Sequence, residues 1–308
     1  MIVATHESTF RMIRCQPDKH GSSTRIADQF GQYARATWPE KIHSINEMRE
    51  ERRREERLLK KLNSAPPPVD RYGGLLQGPT IKASGFFRTA CTDGRWRLVT
   101  PDGHVFFSLG IDVVSPDVGK TYIEDREFMF AALPTKNGPL GAHFGKARFS
   151  DQGDSAHQRP KFDFYAANLE RKFGRDYISA WRSTAIARLR AWGFNTIGNW
   201  SEPHFIATAA MPYVVPIEIW GDYAQIPGSS GPRSNMPDVF DPKFAAAADV
   251  RIARLSSKYK ADPFLIGYFV DNERTWGVGE SKDPRWRYAL AVHTLLLPAQ
   301  SPAKQAFV

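Results

Sequence analysis

Apolar and polar positions change rhythm along the chain, and each change marks an element. From Glu47 to Lys61 nearly every residue is charged. Glu50 and Arg54, and Glu56 and Lys60, stand at i,i+4 spacing, which predicts a charged helix. Ser64-Ala65-Pro66-Pro67-Pro68 stops it, because consecutive prolines cannot continue a helix. Apolar runs flanking Asp93-Gly94 predict a β-hairpin, and Pro101-Asp102-Gly103 a second turn. Val105 to Val114 is almost unbroken apolar sequence, the pattern of a strand buried on both faces. Helical spacing then runs from Phe162 to Trp192 and is closed by Gly193. A strand near 194–199 follows, then a short helix from Glu202 to Ala210 capped by Ser201. The next strand, near 213–219, is interrupted by Pro216. A Gly/Ser/Pro-rich loop from Gly221 to Pro237 leads to a helix that starts at Asp241-Pro242 and runs to Tyr259. A buried strand near 264–270 ends at Asp271-Asn272-Glu273.

The alternation β-α-β-α-β-α-β predicts an α/β fold with a parallel sheet whose four strands lie near 105–111, 194–199, 213–219 and 264–270. A doubly wound nucleotide-binding sheet needs a glycine-rich turn after its first strand, and Gly110-Ile111-Asp112-Val113-Val114 supplies none. Polar groups gather instead where strands end: Asp112, Asn199 with Trp200 and Glu202, Trp220 with Asp222, and Asn272 with Glu273. In a (β/α)8 barrel that end is the active face. The expected architecture is a partial (β/α)8 TIM barrel, its first four or so β/α units, preceded by the charged helix and a short β-hairpin region. Residues 1–65 are expected to form a tail and linker helix, and 66–308 the incomplete barrel domain.

Composition narrows the classes. The chain has 308 residues, 42% of them hydrophobic and 12% aromatic, which is globular rather than disordered. No apolar run approaches the length of a membrane helix, and residues 1–11 are not a signal peptide, so no membrane association is expected. The net charge of +9 invites nucleic acid as a partner, but much of it lies in a helix mixing both signs and no nucleic-acid motif accompanies it, so none is expected. Cys15 and Cys91 are too few for a disulfide framework, and His104, His143 and His204 lack metal-ligand spacing. Neither metal nor cofactor is called for.

Chemistry concentrates in Gly267-Tyr268-Phe269-Val270-Asp271-Asn272-Glu273-Arg274-Thr275-Trp276. Glycoside hydrolysis needs one carboxyl to protonate the departing oxygen and a second to attack or to activate water. Burial beside Trp276 and Tyr268 would lift the acid toward neutrality, and Asn272 offers a hydrogen bond to a sugar hydroxyl. By itself Asn-Glu is a common dipeptide and more often a surface or capping pair. Its place at the end of a fourth strand sharpens it. Around it stand Asn199, Trp200, Glu202, Glu218, Trp220, Asp222, Asp112 and Trp276 as candidate substrate contacts. Each has a plain alternative: helix-start carboxylate for Glu202, loop-amide acceptor for Asp112, rim packing for the three tryptophans.

The sequence resembles the β-agarase-like glycoside hydrolases of family 50, in the large retaining clan A. The resemblance rests on Asp28-Gln29-Phe30-Gly31-Gln32-Tyr33, Asp70-Arg71-Tyr72-Gly73-Gly74, Gly85-Phe86-Phe87-Arg88, the run from Asp93 to His104, Phe106 to Asp112, Gly193 to Trp200, Gly221-Asp222-Tyr223 and Gly267 to Glu273. It implies that Glu273 is the general acid/base, that Asn272 contacts the sugar, and that the intact enzyme cleaves β-galactosidic linkages of a galactan such as agarose with retention. It also implies a second Glu, the nucleophile, more than a hundred residues further on, and a β-sandwich domain upstream. Neither fits within these 308 residues, so the chain is expected to be a fragment lacking the nucleophile and inactive alone. The intact protein is expected to be secreted or periplasmic. The rival expectation is a non-catalytic carbohydrate-binding or vestigial half-barrel that self-associates to close its sheet.

Overall fold

The computed structural model describes residues 25–65, 67–148, 158–227, 235–274, 276–277 and 284–308. Cys15, Pro66 and the middle of the Gly221–Pro237 loop lie outside them. In chain order the elements are α1 (Ile45–Leu62), β1 (Leu75–Thr80), β2 (Arg88–Thr92), β3 (Arg95–Val99), β4 (His104–Phe106), β5 (Gly110–Ile111), β6 (Lys120–Tyr122), β7 (Phe144–Arg148), β8 (Gln158–Asp163), α2 (Phe164–Phe173), α3 (Tyr177–Ala191), β9 (Thr196–Ile197), α4 (Pro203–Ala209), β10 (Tyr213–Ile217), β11 (Gln225–Ile226), β12 (Met236–Pro237), α5 (Pro242–Tyr259), β13 (Leu265–Val270), α6 (Ala289–Leu296) and α7 (Pro302–Phe307). They form two compact units, one from residues up to Met48 and Gly119–Lys172, the other from Arg49–Val118 and Phe173–Val308.

In the first unit β6, β8 and β7 make an antiparallel sheet. Ile123, Phe162, Phe164 and Ala167 form its core, with Phe162 and Phe164 edge to face at 4.8 Å.

The second unit holds two sheets of four strands and a two-stranded ribbon, β11 with β12. One four-stranded sheet, in the order β1-β4-β3-β2, is antiparallel. Its β2–β3 turn is the expected hairpin: Asp93 and Gly94 both have positive φ (52° and 71°), as a type I′ turn requires. The other is parallel, and its neighbours follow chain order, β5-β9-β10-β13. Three helices cross between its strands: α3 before β9, α4 before β10 and α5 before β13. Phe244, Ala247, Ala248 and Leu255 of α5, at helical spacing, pack on Ile217, Ile219 and Tyr223 around the end of β10. Trp181 of α3 meets Phe205 of α4 at 5.7 Å. The charged helix α1 is anchored, not wholly solvated: Glu55 takes two hydrogen bonds from Arg188 (2.6 and 2.8 Å), and Leu59 is buried.

This is a mixed α/β fold in which three of the four sheets are antiparallel and no barrel is closed among the described residues. Several expectations change. The Val105–Val114 run is not one buried strand. It divides into β4, which joins the antiparallel sheet, and β5, which joins the parallel one, with Phe107 between them 74% exposed. The expected helix from Phe162 to Trp192 is β8, α2 and α3, broken where Gly174 turns to φ +90°. Glu202, not Ser201, caps α4. The strand at the sheet edge, β13, is exposed at its C-terminal half rather than buried, with Phe269 at 57%. Pro216 is tolerated because β9 pairs only with Tyr213, leaving β10 a ladder neighbour on one side at Pro216.

Candidate active site

The parallel sheet brings its strand C-terminal ends to one side, and two pairs of ends are knitted together. At β5 and β9, Asp112 Oδ1 accepts the Asn199 amide (2.7 Å), and the Val113 amide donates to the Asn199 carbonyl (2.8 Å). At β10 and β13, the Asp271 amide donates to the Ile217 carbonyl (2.7 Å), and Asp271 Oδ1 accepts the Ile219 amide (3.3 Å). Asp112 is thereby joined to Asn199, and Glu218 lies in the segment between the two residues that bond Asp271.

Backbone strain gathers at the same end. Among the described residues seven non-glycine residues have positive φ; four of them, Val113, Trp200, Asp271 and Glu273 (58°, 57°, 56° and 51°), lie in the turns that follow β5, β9 and β13. Left-handed backbone is unusual for any side chain and is an outlier for a β-branched valine. Strain of this kind persists where the surroundings over-determine it and clusters at functional sites.

The candidate side chains divide. Asn199 is buried, and its Oδ1 has no hydrogen-bond partner among the described residues, a costly state for a buried acceptor. Trp200, Trp220 and Trp276 are exposed, the last two at 71%. Glu218 is half-buried, and Asp222 is exposed, 3.6 Å from Lys243. Asn272 and Glu273 are exposed, so the burial expected around Glu273 is not found among the described residues. Glu202 is spoken for: its carboxylate accepts two hydrogen bonds from Arg182 (3.0 and 2.8 Å) and the Phe205 amide (2.6 Å). Burial alone would push that carboxyl up, but Arg182 and the α4 amides outweigh it and hold it below the usual carboxylate range.

Two residues escaped the sequence reading. Asp271 bridges two strand ends and pairs with Arg274 at 3.3 Å, and Arg274 Nη1 donates to the Asn235 carbonyl (3.1 Å). The signal lay in the Asp271–Arg274 spacing, which the Asn-Glu pair overshadowed. No group of metal-ligating side chains occurs among the described residues. A cavity of about 800 Å³ lies at the opposite end of the parallel sheet, near Leu109, Asn195 and Pro212, away from the carboxylates.

No protein-family model matches the chain. It is 33% identical over 98% of its length to β-agarase B of Vibrio sp. (strain JT0107), covering 34% of that protein. It is 31% identical over 70% of its length to β-agarase A of the same organism, covering 23% of that protein. Among solved structures it matches the agarase AgWH50C with a TM-score of 0.81 at 32% identity, over 92% of this chain and 42% of that one. It matches an exo-β-agarase with a TM-score of 0.83 at 28% identity, over 95% of this chain and 44% of that one. The chain thus spans about a third of the length of β-agarase B.

Proposed function

Since this chain is related to the β-agarases of glycoside hydrolase family 50 along part of their length, we propose that it is the first half of a (β/α)8 catalytic domain. β5, β9, β10 and β13 are then barrel strands one to four, and the protein hydrolyses β-galactosidic linkages in a galactan such as agarose. The observation that carries this is the position of Asn272-Glu273 just past the end of β13, on strained backbone, at the sheet end that barrel enzymes use.

Glu273 acts as general acid, giving its proton to the glycosidic oxygen as the C–O bond breaks. A second carboxylate, supplied outside these 308 residues, attacks the anomeric carbon. Glu273, now a carboxylate, takes a proton from the water that releases the sugar, so configuration is retained. Asn272 bonds a hydroxyl of the bound ring. Asn199, Trp200, Trp220 and Trp276 contact the sugar, with Asp112, Glu218 and Asp222 at the polar margin. Glu202 holds α4 instead. A polymeric galactan is met outside the cytoplasm, so the intact protein is secreted or periplasmic; no described helix is long and apolar enough to cross a membrane.

The test is Glu273→Gln in the agarose-degrading polypeptide that carries this sequence. The expected result is a fall in turnover of about 10³-fold or more with folding unchanged. Near-normal release of reducing ends refutes the assignment. A second reading, a sugar-binding half-barrel that pairs with a copy of itself, is favoured by one observation, the exposure of Phe269 and Val270 on the edge strand β13.

A further inference from the structure

We propose that Asp112 is a positioning residue that sets the Asn199–Trp200 turn for the sugar, a role that rests on the strand ends being a sugar site. Four hydrogen bonds lace the turn after β5 to the turn after β9. Asp112 Oδ1 accepts the Asn199 amide, the Val113 amide donates to the Asn199 carbonyl, the Val114 amide donates to Ser201 Oγ, and the Glu202 amide donates to the Val114 carbonyl. The first is the shortest, at 2.7 Å, and the one of the four whose acceptor is a side-chain carboxyl oxygen.

The sequence makes room for it. A Cβ on residue 198 would sit 1.9 Å from Asp112 Oδ1 and 2.9 Å from the Ile111 carbonyl, so Gly198 is what lets the carboxylate reach the Asn199 amide. That amide directly precedes Trp200, whose left-handed φ of 57° carries an exposed indole at the strand end. Asn199 has no bond of its own at Oδ1, so the backbone bonds around it fix where it stands. Ser201 closes the turn by donating to the Gly198 carbonyl (3.0 Å). Asp112 thus acts through Trp200 and Asn199, by holding strained backbone against relaxation.

The test compares Asp112→Ala, Asp112→Asn and Trp200→Ala in the 308-residue chain. It reads hydrogen exchange of the Asn199 amide, the Trp200 indole resonance, and affinity for an agarose-derived hexasaccharide. The expected result for Asp112→Ala is about tenfold faster exchange, a displaced indole signal and about tenfold weaker binding, with the thermal midpoint close to that of the unsubstituted chain. Asp112→Asn, which keeps an oxygen acceptor, should restore all three to within about twofold. Unchanged exchange or unchanged affinity in Asp112→Ala overturns the proposal, as does an Asp112→Asn variant that fails equally. If the unsubstituted chain and Trp200→Ala both fail to bind, the sugar-site reading falls, and exchange together with the indole signal still decides whether Asp112 sets the turn.

Discussion

Replacing Glu202 with alanine should destabilise the second unit without touching sugar recognition. The carboxylate makes three charge-assisted contacts: two from Arg182 and one from the Phe205 amide at the first turn of α4. Losing an N-cap costs about 1 kcal/mol. The ion pair is mostly but not fully screened from water, at 16% and 27% side-chain exposure, so about 1 kcal/mol is a sensible share for it. Arg182 left partnerless adds somewhat more, giving about 2–3 kcal/mol in all. Glu202→Gln keeps an oxygen for the Phe205 amide and should cost about half as much. The carboxyl is held below its ordinary value, so its contribution is complete above the unfolded-state value near 4.5 and is lost as pH falls through the lower folded-state value. Urea unfolding followed by circular dichroism should therefore show a constant gap between the two proteins from about pH 6 to 8, narrowing below about pH 4. A gap under about 0.5 kcal/mol at pH 7, or one that widens on acidification, refutes the reasoning. Weakened sugar binding in a fully folded Glu202→Ala protein would return Glu202 to the subsites.

Asp70 should prove the most costly carboxylate to remove. It accepts from the Tyr72 and Gly74 amides and pairs with Thr100 Oγ1 and His104 Nδ1, all at 2.7–2.8 Å, in a nearly buried position. Asp70→Ala should cost about 3–5 kcal/mol in urea unfolding, and a loss below about 1 kcal/mol would contradict the network. On the self-pairing reading, Phe269→Lys should shift the chain from associated species to monomer in sedimentation velocity while leaving unfolding unchanged, since lysine on an edge strand blocks strand addition. A monomeric unsubstituted chain at tens of micromolar would remove the basis for the self-pairing reading.

What was legible in the sequence was local chemistry. Asp93-Gly94 specifies its own turn, Asp241 caps α5 by accepting the Lys243 amide, and Gly193 ends the α3 segment at φ +80°. Each depends on residues a few positions apart. What was not legible depends on partners far along the chain. Phe107, Leu109, Ile111 and Val113 have the hydrophobicity of a two-sided core strand, yet all are exposed, because burial is conferred by neighbours and not by the strand itself. The Phe162–Phe173 stretch keeps a helical rhythm across the β8–α2 junction, because Phe162 and Phe164 enter one core from two kinds of backbone. At the candidate site, the placement of Asn272 and Glu273 just past a parallel strand was legible from position along the chain. The pairing of Asp112 with the Asn199 amide was not, since 87 residues separate them.

The two ends of the parallel sheet differ in what their polar groups are left free to do. The cavity at the strand N-terminal ends is large, but its polar groups are consumed by the fold. Asn63 Nδ2 donates to the Leu59 and Ala187 carbonyls, Arg190 Nη2 to the Ala209 carbonyl, and Asn195 bonds the Leu109 amide and the Phe107 carbonyl. Apart from these it is lined largely by apolar side chains such as Leu62, Leu75, Ile186 and Met211. A sugar needs convergent polar groups free to exchange bonds with water for bonds with hydroxyls. The C-terminal ends leave groups free: an Asn199 oxygen that is buried and unpartnered among the described residues, an exposed carboxyl on Glu273, exposed indoles, and a backbone held in left-handed turns. A stable fold gains nothing from keeping Val113 and Trp200 in those turns, at roughly 1–3 kcal/mol each, unless the turns position something. Unsatisfied polar groups and strained backbone therefore favour the end that carries Glu273 as the one to test first for sugar binding.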